Sequence, residues 1–231
     1  MLESIAIIPD GNRRYAFKND IPLFEAYSTG TKKAFEVVDW LKDFKELKVV
    51  SFYTLSYKNF TERSKEELNV LSKVLGKQLD YALKEDFFNE KNLAIKFIGN
   101  LDVFDKKIVK KMKKLEKDSS ETNAGKTIVS ALAYDGQSEI VEAAKKFALE
   151  TKDEKNQELS VNSFKKFLQF NFKDPDLIIR TSGMNRLSGF LTFSSAYSEL
   201  YFSKLLWPEF DKKELMKAVS FYNTTQRNFG K

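Results

Sequence analysis

The sequence predicts an α/β protein built on a central, mostly parallel β-sheet flanked by helices. Three observations carry this. Short apolar runs of strand character alternate with longer stretches of helical periodicity along the 231 residues, the pattern of a sheet whose crossovers are helices. No internal repeat and no clear compositional break divides the chain, so residues 1–231 read as a single domain, long enough for a sizeable core. Three polar clusters, Asp10–Arg14, Ser56–Arg63 and Arg180–Ser188, fall just after predicted strands, and open parallel sheets bind ligands at those carboxyl ends.

The elements follow in order. "SIAIIPD" is a fully buried strand stopped by Pro9, followed by a helix after Gly11. Residues 33–44, "KAFEVVDWLKDF", carry apolar residues at helical spacing, and 47–56 return to strand character. Residues 64–88 form a long amphipathic helix. Ser64 and Glu67 fit a capping box, and Leu68, Leu71, Leu75, Leu79 and Ala82 supply its apolar stripe. A strand is expected at 93–100, a basic helix at 104–119, a strand at 126–136 and a helix at 138–150. A charged linker near 151–160 and a short helix at 160–170 come next. Residues 176–183 are another buried strand with a polar end. "GFLTFS" and "ELYFSKLLW" supply a further strand and a turn, and the chain closes on a helix over 211–230.

Composition excludes much chemistry. The chain contains neither cysteine nor histidine, which removes disulfides, thiol nucleophiles, histidine acid–base catalysis and ordinary zinc sites. Catalysis must use carboxylates, amides, hydroxyls, lysine or arginine, and any metal would be a hard cation on oxygen ligands, with Mg²⁺ the default. The net charge of +6 is compatible with phosphates, nucleic acid or a membrane surface. The 21 phenylalanines suggest a greasy interior or a lipophilic cavity, and a Phe- and Lys-rich coding bias would give the same count. With no signal peptide and no apolar run near 18 residues, a cytosolic protein that spans no membrane is expected.

The first cluster, "DGNRR", reads as an anion seat. A strand feeding glycine and then a helix leaves backbone N–H groups free at a helix start, where the dipole favours phosphate. Gly11 allows close approach, and Arg13 and Arg14 add fork-shaped, charge-assisted hydrogen bonds. Asp10 is awkward there unless it holds Mg²⁺ bridging to phosphate oxygens; an Asp-Gly turn with solvated arginines is the plainer reading. "RTSGMNRLSG" resembles a second anion cradle or a polar loop. "SYKNFTER" offers Ser56, Lys58, Asn59 and Arg63, and alone passes as a helix-start loop. "NAGKT" ends like a nucleotide P-loop, but Ser120 stands where glycine is required and a strand, not a helix, follows. The Lys-rich stretch 104–117 has no stacking aromatics beside it, so nucleic acid is not an expected partner.

Taken together, "IAIIPDGNRRYA", "FYTLSYKNFTERSKEEL", "FIGN", "ALAYDG" and "DPDLIIRTSGMNRLSGFLTFSSAYSELYFSKLLWPEF" resemble the cis-prenyltransferases, the undecaprenyl or polyprenyl diphosphate synthases, in wording closest to archaeal members. The resemblance implies an α/β homodimer with a hydrophobic tunnel. It implies Mg²⁺-dependent addition of isopentenyl diphosphate to an allylic diphosphate such as farnesyl or geranylgeranyl diphosphate. Long lipid products imply peripheral contact with the membrane.

By the same resemblance Asp10 is the essential, metal-holding aspartate. Gly11, Asn12, Arg13, Arg14 and Tyr15 hold the allylic diphosphate, Tyr15 standing where the family usually has Trp. Asn59 assists proton removal beside Ser56, with Phe60 and Arg63 in the same segment. Arg180, Arg186 and Ser188 cradle isopentenyl diphosphate, and Glu199 completes the metal site from the partner subunit. Helix 64–88, with Phe87, Phe88, Leu55 and Leu132, is expected to line the tunnel or simply to pack the core.

Departures from the family pattern are Ser4, Leu23 and Tyr27 in place of His, Arg and His, and Lys58 and Phe60 for an acid and Trp. Met184-Asn185 stand for Glu-His, and Asn228 for Arg, while one extra residue precedes Arg63. These losses of polar contacts raise the alternative of a non-catalytic subunit pairing with an active relative. The retained Asp10, Asn59, Arg180, Arg186 and Glu199 argue for an enzyme.

Overall fold

The computed structural model describes residues 1–120, 125–151 and 160–227. Six strands form one sheet: β1 (Ser4–Ile8), β2 (Val49–Ser56), β3 (Leu93–Ile98), β4 (Lys126–Tyr134), β5 (Leu177–Arg180) and β6 (Glu199–Phe202), in the spatial order β3-β4-β2-β1-β5-β6. Every strand pairing is parallel, so "mostly parallel" becomes wholly parallel among the described residues.

Alternation along the strands divides the interior in two. Ile5, Ile7, Val50, Phe52, Leu177 and Ile179 point to a large cluster capped by helices. Those helices are α2 (Leu23–Leu41), α4 (Lys65–Lys84), α6 (Lys106–Ser120) and α9 (Lys212–Thr224). Ala6, Ile8, Val49, Tyr53 and Ile178 face a smaller cluster closed by Phe170, Phe190 and Leu191. Glu139 of α7 (Gly136–Glu150) braces that second layer: it accepts from the Tyr134 hydroxyl at 2.6 Å and from the Phe170 amide at 2.8 Å. Burial pushes its carboxyl above the ordinary range, against the pull of those bonds.

Several predicted boundaries move, for local reasons. α2 begins ten residues before the expected 33, directly after Pro22, because its first turns bury the small residues Ala26 and Gly30 with Tyr27. The 64–88 helix breaks where Asp86 adopts a left-handed φ of 46°, leaving a separate α5 (Phe87–Glu90). α8 is only Val161–Lys165, and "GFLTFS" forms turns, so "ELYF" alone supplies the last strand. The P-loop look-alike ends in a strand, as its sequence order required, since β4 starts at Lys126. Most of the charged linker and the end of the predicted terminal helix, including Asn228, lie outside the described residues.

The topology creates one preferred crevice. After β1 the chain turns toward β2 through α1 (Asn12–Asn19) and α2, whereas after β5 it turns to β6 on the other side. Ile8 pairs with Arg180, so the polar segments following β1 and β5 emerge side by side at that reversal.

Candidate active site

Asp10 is fixed from both chain directions. Its carbonyl accepts the Thr181 hydroxyl at 2.6 Å and the Trp207 amide at 3.0 Å. Its carboxylate takes Arg180 Nη2 on Oδ2 at 2.9 Å and lies 3.3 Å from Arg14 Nη2 through Oδ1. Arg180 is 4% exposed; its Nη1 donates to the Arg186 carbonyl and, at 2.8 Å, to Ser188 Oγ. Arg14 Nη1 donates to the Ser182 carbonyl at 3.0 Å. The first and third polar clusters are therefore one interlocked unit. Arg180 works largely as its internal brace, while Arg186 and Ser188 stay exposed on the cavity wall.

The geometry at the start of α1 follows from two glycines. Gly11 has φ 114°, and a side chain there would meet Leu206 at 3.0 Å. It opens α1 without a side-chain cap, so the first-turn amides of Asn12, Arg13 and Arg14 have no internal side-chain acceptor. Gly30 gives Asn12 its space: a Cβ at 30 would lie 2.1 Å from Asn12 Oδ1. That Oδ1 is buried without a hydrogen-bond partner, as are Ser182 Oγ and Arg180 Nε. With Arg63 Nε on the facing wall, these orphaned polar atoms around one crevice are what a site built for a polar ligand leaves behind. Tyr15 is half-buried in α1 and does not reach the cavity wall.

The second cluster forms the facing wall. Ser56 Oγ caps α3 (Tyr57–Glu62) by accepting the Asn59 amide at 3.0 Å, so its hydroxyl serves the backbone. This turns the exposed Asn59 side chain to the cavity, with Lys58 3.8 Å from Glu62. Phe60 lies behind the wall, its ring 6.1 Å from that of Phe104, which does line the cavity. Arg63 faces the same space.

The cavity has a volume of about 1360 Å³. Its mouth is polar, between Asp10–Arg14, Asn59, Arg63 and Arg186, and its inner wall is apolar, with Leu55, Leu71, Leu75 and Leu132. A second, apolar pocket of about 120 Å³ shares Thr31, Ala34, Phe52, Thr54 and Leu75 with it and reaches Ala82, Phe88 and Leu115. The stripe on α4 is thus divided: Leu71 and Leu75 line the cavity and Leu79 and Ala82 the deeper pocket, while Leu68 lines neither. Phe87, expected in the lining, instead packs on Phe35 and Phe88.

Glu199 stands apart. It opens β6 opposite Leu177, whereas Arg180 pairs with Phe202, so within one chain it lies at the other end of the sheet from Asp10. No group of three or more acidic ligands is assembled among the described residues. A Mg²⁺ ion held through diphosphate oxygens and water needs only one or two protein carboxylates, and Asp10 at the cavity mouth meets that requirement.

The sequence reading missed Tyr53, Asp135, Trp207 and Glu67. Tyr53 donates to the carbonyls of Tyr134 and Ser188, both at 3.1 Å, and so ties β4 to the Arg180–Ser188 loop. Asp135 caps α7 and lines the cavity. Trp207 Nε1 donates to Gly30 O at 2.6 Å. In sequence, Glu67 reads as half of a capping box. Ser64 Oγ does accept the Glu67 amide at 3.2 Å, but the Glu67 carboxylate turns inward. Tyr27, which stands in place of a histidine, donates to it at 2.5 Å. Leu23 opens α2 without lining the cavity, and Ser4 is buried at the far end of β1, bonded to the Lys173 carbonyl at 3.1 Å.

Comparison with known proteins adds a separate line. The family model described as "Putative undecaprenyl diphosphate synthase" matches residues 8–230. A tritrans,polycis-undecaprenyl-diphosphate synthase (geranylgeranyl-diphosphate specific) of Pyrobaculum aerophilum is 35% identical over 98% of this chain and 95% of its own length. One of the same name from Thermoplasma acidophilum is 37% identical over 98% of this chain and 88% of its own. The crystal structure of lavandulyl diphosphate synthase from Lavandula x intermedia in complex with dimethylallyl diphosphate superposes with a TM-score of 0.87 at 26% identity, covering 100% of this chain and 98% of that one.

Proposed function

The chain belongs to the undecaprenyl diphosphate synthase family of cis-prenyltransferases and is a prenyltransferase, and from that premise we propose that it adds isopentenyl diphosphate units to an allylic diphosphate to make a Z-polyprenyl diphosphate. The observation that carries this is the Asp10–Arg180 bond, which joins two polar, arginine-bearing segments at the mouth of a cavity that turns apolar with depth. Two anionic heads and one growing apolar tail are the ligands such a space fits. The archaeal relatives' geranylgeranyl specificity supports geranylgeranyl diphosphate as the primer.

In this reading the start of α1 and Arg13 and Arg14 hold the allylic diphosphate, and Arg186 and Ser188, held in shape by Arg180, hold isopentenyl diphosphate. The allylic C–O bond breaks with its electron pair going to the departing diphosphate, whose charge the arginines stabilise. The double bond of the second substrate forms the new C–C bond, and the resulting cation loses a proton to a diphosphate oxygen or to water, which Asn59, on the facing wall, orients. Mg²⁺, held by Asp10 and by Glu199 of a second subunit, would supply further stabilisation of diphosphate charge.

A homodimer is supported by the open edge of β6, beside which Tyr197 is 81% exposed and Leu200 and Phe221 are each 38% exposed. Among the described residues no helix is long and apolar enough to cross a membrane; by analogy with the family, we assign work in the cytoplasm with peripheral membrane contact through the lipid product.

The test is incubation of purified protein with labelled isopentenyl diphosphate, geranylgeranyl or farnesyl diphosphate and Mg²⁺. Labelled lipid from the protein alone is expected, its length read by chromatography against polyprenol standards. Product appearing only when a second, different subunit is added would overturn the reading.

A further inference from the structure

Glu67 occupies an unexpected position for an acid. Its side chain is 11% exposed and lies behind Tyr27 and Arg63, which themselves line the arginine-rich cavity. As the third residue of α4 after the Ser64 cap, it stands where it would close the capping box by accepting the Ser64 amide. It forgoes that bond. Its Oε1 instead accepts the Tyr27 hydroxyl at 2.5 Å and forms ion pairs with Arg63, whose buried Nε lies 3.3 Å away without a hydrogen bond, and with Arg13 Nε at 3.9 Å.

Tyr27 closes the ring. Its hydroxyl donates to Glu67 and accepts from Arg63 Nη1 at 3.2 Å, while the Arg63 guanidinium lies 5.8 Å from the centre of its ring. Arg63 is thereby held by α2 through Tyr27 and by α4 through Glu67, although it sits on the link between α3 and α4. Its Nη2 has no hydrogen-bond partner among the described residues, and the side chain lines the cavity beside Asn59. One carboxylate shared by Arg63 and Arg13 leaves this wall with a net positive charge.

We infer that Glu67 is a positioning residue: through Tyr27 it locks Arg63 on the cavity wall so that the free side of the guanidinium meets the diphosphate of the allylic substrate. An arginine on the link between two helices is otherwise free to sample many rotamers, and fixing it beforehand removes that ordering cost from binding. The assignment of the allylic rather than the isopentenyl head rests on the reading above, because Arg13 and Arg63 share Glu67 while Arg186 and Ser188 belong to the other wall.

The experiment compares the wild type, Glu67→Gln, Arg63→Met and the double variant. Steady-state kinetics give KM for each substrate, and calorimetry gives the affinity for inorganic diphosphate with Mg²⁺. Glu67→Gln is expected to raise KM for the allylic diphosphate about tenfold and to weaken inorganic diphosphate similarly, the scale of one charge-assisted contact. KM for isopentenyl diphosphate should change less than about twofold. In the Arg63→Met background Glu67→Gln should add no further loss, because the carboxylate acts only through Arg63.

Unchanged or tighter binding in Glu67→Gln, or an equal loss in both backgrounds, would overturn the inference. If Glu67→Gln melts too low to assay, Tyr27→Phe removes the link and leaves the carboxylate; unaltered diphosphate affinity there would overturn it too. A wild type that binds diphosphate in this Arg63-dependent way but makes no lipid would refute the proposed function and leave this assignment standing.

Discussion

Asp10 has two jobs in one carboxylate. It neutralises Arg180 and Arg14, which keeps the two polar segments after β1 and β5 in register, and it presents oxygen at the cavity mouth. Replacing it removes both. Asp10→Ala should reduce product formation by about a hundredfold or more, the scale of losing a preorganised electrostatic group. It should also lower stability by about 2 kcal/mol, measurable by denaturant unfolding, because Arg180 is left buried without a counter-charge while Asp10 itself is partly solvated. Retained activity would refute the assignment. From sequence Asp10 looked misplaced in an anion seat, and its partner Arg180 lies 170 positions away, so no local pattern could have paired them. Glu67 was hidden for a different reason: Ser64 three residues earlier already supplied an ordinary explanation, and only tertiary packing of Tyr27 diverts the carboxylate from it.

At the scale of elements, what was legible was what local chemistry controls. Strand identity held because β1, β2, β4 and β5 are apolar runs buried on both faces, as a parallel sheet demands. Helix starts were less legible. The early beginning of α2 comes from close packing against α1 and Trp207, which Gly30 permits and hydrophobic periodicity does not report. Gly30→Ala tests that contact. Its methyl would lie 2.1 Å from Asn12 Oδ1 and 3.1 Å from the Trp207 ring, although alanine is the better helix former. Net destabilisation of about 1–3 kcal/mol is expected, with weaker inorganic diphosphate binding as Asn12 shifts; a more stable variant would show that α1 can yield. The Arg180–Ser188 loop was recognised as polar, but its path was not. Ser182, Gly183, Ser188 and Gly189 all have positive φ, and two of these are serines that give no conformational signal in sequence.

Across the whole molecule, the cavity and the apolar pocket behind it lie between the sheet and the α2–α4 layer. The abundance of phenylalanine left a packed interior and a hollow one equally open, and the molecule contains both: Phe170 and Phe190 are fully buried, while Phe52 and Phe88 line empty space. Ala82 is 3% exposed at the deep end of that space. Ala82→Phe should therefore shorten the product by whole isoprene units, seen by chromatography, and an unchanged distribution would place the growing tail elsewhere. The hollow has a thermodynamic consequence as well. A sheet and helix layer separated by space are missing part of their own interior, and under the proposed function the isoprenoid being elongated completes it. Each methylene that enters dry space contributes up to about 0.8 kcal/mol, and a ligand bound only by the folded state raises its melting temperature. The unfolding transition becomes a ruler for the tail: it should climb with each added unit until the pocket is full, and then stop.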